Sequence, residues 1–164
     1  MTTPIHTSDA PAAEIATRRG WMRVLAAADT AELNAAWQHW DAKPDVQHIR
    51  GPEAGLVMVR ARVDASGAKF NLGEATVSRA TVRLHGGPLE DDVLGSSYVL
   101  GTDLEHARLA AIFDGLLGDL GLRPRALAEV ISPLAHSQAR LDVSRRADAR
   151  STLVDFFTVA REHA

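Results

Sequence analysis

Two sets of side chains in this sequence have the chemistry to handle a phosphate. Asp103 and His106 stand three residues apart, a spacing that puts both on one face of a first helical turn, where free amides and the helix dipole attract an anion. The same pair would serve equally well to cap a helix and pack beneath it. Arg60, Arg62, Arg79 and Arg83 fall in segments with strand character, where a planar guanidinium can grip a phosphate bidentately. The competing use for them is an exposed sheet face or a salt bridge to another subunit. Arg62, Arg79, Asp103 and His106 are the candidate phosphate-binding residues, and no side chain stands out as catalytic.

Self-sufficient active sites find no support. A P-loop needs Gly-Lys-Ser/Thr, yet the only lysines are Lys43 and Lys69 and neither follows a glycine. Dinucleotide, serine-hydrolase and zincin motifs are also missing from the sequence. His85-Gly86-Gly87 reads as a turn, and Glu90-Asp91-Asp92 as a solvated acidic connection rather than a magnesium site. With no cysteine, disulfides, thiolate zinc sites, cysteine nucleophiles and thiolate-held iron–sulfur clusters are excluded. No bound metal is expected.

A net charge of -3 and 5% aromatic residues argue against nucleic acid as a partner, since neither a basic field nor stacking platforms are available. No apolar run is long enough to span a membrane, and residues 1–12 lack the basic and apolar blocks of a secretory signal. A soluble, cytoplasmic protein is expected.

The elements that must position these residues can be read from periodicity. Residues 1–12 are polar with two prolines and are expected to be a disordered tail, followed by a single domain over 13–164. Ile15 to Ala27 has helical spacing, and Asp29-Thr30-Ala31-Glu32 has the form of a capped helix start leading to a second helix that ends near Asp41. Val46 to Ile49 reads as a short strand, residues 51–55 as a loop, and Leu56 to Val63 as an alternating strand. That strand should pair antiparallel with the extended segment Phe70 to Leu84. After a connection over 85–95, Ser96 to Leu100 gives a further strand.

Thr102-Asp103-Leu104-Glu105 reads as a capping box opening a helix that ends between Gly118 and Gly121. Pro124 and Pro133 suit first helical turns, so one or two turns over Arg125 to Ile131 and a separate amphipathic helix to about Ala149 should follow. Ser151 to Val159 has strand composition. Helices, then a meander, then helices define an α+β fold: an antiparallel β meander packed against flanking helices in one domain. Trp21, Phe156 and Phe157 suit a core, and are also the aromatic side chains a permanent interface would bury.

A family resemblance runs through these elements. Arg18 with Trp21-Met22 and Val24-Leu25-Ala26, then Arg62, Gly67, Phe70, Gly73, Arg79-Ala80, Gly95, Ser97-Tyr98-Val99, Asp103, His106-Ala107, Asp114 and Val154-Asp155-Phe156-Phe157-Thr158 occur in an order similar to that of PhnG-type chains. The connection over His85 to Val93 is longer and more acidic than the common form, and Tyr98 stands where Trp is frequent. The resemblance implies a non-autonomous subunit of the carbon–phosphorus lyase core, working with PhnH-, PhnI- and PhnJ-type subunits and forming a homodimer within the complex. It implies that an alkylphosphonate displaces adenine from C1′ of ATP, with ATP a substrate of the complex and no cofactor held by this chain alone. Two other roles stay open: lending phosphate-gripping or catalytic groups to a shared active site, and binding phosphonate as an independent small protein.

Overall fold

The computed structural model describes residues 16–64 and 66–151, so the expected tail over 1–12, Phe156, Phe157 and most of the strand proposed from Ser151 lie outside the described residues. Helix α1, Arg18–Ala26, starts because Thr17 accepts a hydrogen bond from the Gly20 amide at 3.1 Å. It buries Trp21, Val24 and Leu25 and leaves Arg18, Arg19 and Arg23 outside, the pattern its spacing dictates. Helix α2, Thr30–His39, is capped by Asp29, whose carboxylate accepts from the Ala31 amide. Glu32 does not complete the expected box; half-buried, it reaches across the fold and accepts from the Ser137 hydroxyl at 2.9 Å.

Three antiparallel strands follow in the order β1-β2-β3: β1 Asp45–Ala61, β2 Phe70–His85 and β3 Val93–Leu100. The loop expected at residues 51–55 is instead part of β1. Gly51 adopts φ +68° and the register slips between His48 and Glu53, so the chain bulges without leaving the ladder. Pro52 is tolerated there because β1 is an edge strand. Strand β3 also begins earlier than Ser96, since Val93 already pairs with Leu84.

Ser78, Ala80, Val82 and Leu84 of β2 and Gly95, Ser97 and Val99 of β3 face the core. Helix α3, Leu104–Gly118, lies across them and is buried along almost its whole length. Beyond it, α4 (Arg123–Ala126), a π-helical turn (Leu127–Ile131) and α5 (Ser132–Ser151) form one continuous run, not two separate helices. Pro133 has no amide to offer the Glu129 carbonyl, and the chain accommodates it by a wider turn in which Ser132 N–H donates to Leu127. Arg125 fastens this run to the end of α2, paired with Asp41 at 2.7 Å and stacked 4.5 Å over Trp40. The result is the expected α+β arrangement, with the helices gathered on one face of the meander.

Candidate functional site

Helix α3 is capped by Asp103, one residue later than the Thr102 expected from the box pattern. One oxygen of Asp103 accepts from the His106 amide at 2.9 Å and the other from the Thr30 hydroxyl at 2.7 Å. The His106 amide first, then Thr30, hold this carboxyl below its usual range. Glu105 pairs with Arg108 instead of closing a box. The His106 ring is buried, with Nε2 2.8 Å from the Leu25 carbonyl; a carbonyl can only accept, so Nε2 carries the proton. Both side chains are therefore engaged by the chain itself, Asp103 at the surface and His106 buried, tying the start of α3 to α2 and α1.

A third carboxylate, which motif reasoning gave no role, organises the other end of α1. Asp114 is buried on α3 and accepts four hydrogen bonds: from Arg18 Nε at 3.2 Å and Nη2 at 2.8 Å, from Trp21 Nε1 at 2.9 Å and from the Ser96 amide at 2.9 Å. The Ser96 amide lies on β3, the sheet's other edge strand, so Asp114 satisfies an edge donor that would otherwise be bare. Trp21, a candidate interface residue, is thereby held in the chain's own core.

Arg79 lies on the other side of the sheet. Arg79 alternates with the core-facing Ser78 and Ala80 and so points away from α3, opposite the side on which Asp103 and His106 are held. Its Nε meets Glu53 at 2.9 Å, and Arg50 meets the same oxygen at 2.7 Å; the two guanidiniums, Arg50 first, keep the Glu53 carboxyl below its usual range. Tyr98 is the cross-strand partner of Arg79 on β3. Arg62 lies just past the end of β1, roughly 30 Å along the strand from Glu53 at about 3.3 Å per residue. The four candidate phosphate-binding residues thus do not converge. Among the described residues, no three histidine, aspartate or glutamate side chains gather as a metal site, and no helix is long and apolar enough to cross a membrane.

What this face does present is apolar surface. Leu94, Tyr98 and Leu100 of β3 are 62%, 56% and 78% exposed. Strand β3 pairs with β2 only from Val77 onward, so the far half of the β1–β2 hairpin is a two-stranded arm. Val57 and Val59 lie on the side of it that continues the outer face, and Leu56 (63% exposed) and Met58 (51%) on the side that continues the helix-bearing face. No described element covers either side. Exposed apolar side chains gathered in this way mark contact surfaces.

A small α+β sheet module whose described residues leave an outer face bare, carry an apolar arm and form no convergent catalytic cluster has the make-up of an assembly subunit. The comparison with known proteins gives the particular family: residues 16–162 match the model of the phosphonate metabolism protein PhnG, and the chain belongs to that family. A curated relative from Rhizobium meliloti (strain 1021), alpha-D-ribose 1-methylphosphonate 5-triphosphate synthase subunit PhnG, is 49% identical over 154 residues, covering 91% of this chain and 92% of the relative.

Proposed function

We propose that this chain is a non-autonomous subunit of an alpha-D-ribose 1-methylphosphonate 5-triphosphate synthase, the complex named for its relative. In this reading it supports transfer of an alkylphosphonate onto C1′ of ATP with release of adenine. ATP is a substrate of the complex, this chain holds no cofactor alone, and PhnH-, PhnI- and PhnJ-type chains are its partners in the cytoplasm, with a second copy of this chain in the same assembly. The observation that carries the reading is the bare outer sheet face, where Leu94, Tyr98 and Leu100 are each more than half exposed, together with the arm beyond it, where Leu56 and Met58 are as exposed on the opposite side. Surface of that kind marks a place where another chain binds.

Co-expression of the tagged chain with the other three subunit types tests this. Recovery of a stable complex of defined composition is the expected result; recovery of the tagged chain alone, monodisperse, contradicts it.

A further inference from the structure

The outer sheet face is not only apolar but charged with one predominant sign. Arg50, Arg79 and Arg83 stand there against Glu53, in a chain whose formal net charge is -3. Glu53 is already shared by Arg50 and Arg79. Arg83 projects between core-facing Val82 and Leu84, is exposed, and makes no ion pair with any described residue. At the sheet's end Asp45 faces His85, with 3.9 Å between them, so it does not neutralise the centre of the face.

Three strands about 4.8 Å apart over eight paired residues at about 3.3 Å each give this face roughly 400 Å² before the arm is added. The outer side of the two-stranded arm, seven residues of β2 beyond Val77, brings it to roughly 600 Å², the larger part of the roughly 800 Å² per partner of a specific interface. Its composition, with Tyr98 and arginines around Leu94 and Leu100, is that of an interface centre.

We infer that the outer face of β1-β2-β3 docks on an apolar surface of a different synthase subunit that carries carboxylates opposite Arg79 and Arg83. A second copy of this chain is a poor occupant, because stacking the face on itself brings guanidinium against guanidinium, and like charges across an interface are repulsive. An acidic and apolar surface meets both features of the face at once. This rests on the proposed role as a synthase subunit and names where and by what chemistry the subunit is held.

The test compares association of the wild-type chain, Arg83→Glu, Leu100→Asp and the control Arg146→Glu, on exposed α5, with the purified complex of the other subunits over a series of salt concentrations. Melting temperatures of the free chains verify folding. Arg83→Glu and Leu100→Asp should each weaken association by about tenfold or more, and Arg83→Glu should flatten its salt dependence, while Arg146→Glu behaves as wild type. Wild-type affinity in both face variants overturns the docking face while leaving the subunit role intact. Failure of the wild-type chain itself to associate overturns both. Sedimentation of the isolated chain adds a further outcome: a homodimer that Arg83→Glu abolishes assigns the face to a second copy and overturns the inference.

Discussion

Gly95 of β3 and Gly115 of α3 meet backbone to backbone where the central helix crosses the sheet edge. A methyl group built on Gly95 would lie 2.6 Å from the Gly115 nitrogen and collide with the Ala111 carbonyl oxygen. The helix can sit this close to the strand only because neither residue has a side chain. The close approach also brings Asp114 within reach of the Ser96 amide.

Gly95→Ala should therefore cost about 3 kcal/mol or more, since backbone rather than a side chain blocks the new methyl. Gly115→Ala meets the flexible end of Leu84 at 2.6 Å and should cost less, about 1–2 kcal/mol. Gly55→Ala and Gly73→Ala, on the open arm with nothing within 4 Å, should leave stability nearly unchanged. Urea unfolding of the four variants checks the order; equal losses at Gly95 and Gly73 would contradict the close approach.

Asp114 is expected to be the most sensitive polar position. Asp114→Ala leaves the buried Trp21 Nε1–H and the Ser96 amide without their acceptor, a loss of about 2–4 kcal/mol. Trp21→Phe removes one of these bonds and should cost about 1–2 kcal/mol. Denaturation midpoints of the two variants and their combination measure this. Since both remove the same contact, the double variant should lose less than the sum.

The start of α3 should respond to acid. Asp103 has its carboxyl held below the usual range by the His106 amide and Thr30. A carboxyl with a lower folded than unfolded pKa stabilises fully above the unfolded value, near 4, and loses that contribution as pH falls through the folded value. Asp103→Asn keeps a good cap, so stability at neutral pH should stay within about 0.5 kcal/mol, while the decline below about pH 4 becomes shallower. Melting temperatures across pH 2–7 (a range set by the carboxylate values) would show it; an unchanged acid limb would rule the linkage out.

Much of this was legible locally. Helical spacing around Trp21 and Leu25, the Asp29 cap, and the alternation through Val57 and Val59 correspond to real elements, because each depends on neighbours a few residues away. The errors share one cause. Gly51-Pro52 looked like a loop because turn chemistry does not reveal that a bulge can be carried within an edge strand. Pro133 looked like a new start because its effect on Ser132 and Leu127 depends on the run being buried against α2 and α3. The role of Asp114, though the residue belongs to the family pattern, is not legible locally since its partners Arg18, Trp21 and Ser96 lie 96, 93 and 18 residues away. Only the folded chain shows that Arg79 and Asp103 are held on opposite sides of the sheet.

The arm separates stability from assembly. Leu56→Ser with Met58→Ser removes exposed apolar groups and should shift the stability of the free chain by no more than about 0.5 kcal/mol per site. Recovery of the complex in a pull-down should fall sharply. If the pair unfolds the chain, or leaves recovery untouched, the arm is not an assembly surface.

The most direct measurement is adenine release, by chromatography, from ATP and methylphosphonate with the purified PhnH-, PhnI- and PhnJ-type subunits, with and without this chain, and with this chain alone. Adenine should appear with the full set, and neither with this chain alone nor when it is omitted. Undiminished release in its absence would contradict the subunit role, and release by the isolated chain would contradict its dependence on partners.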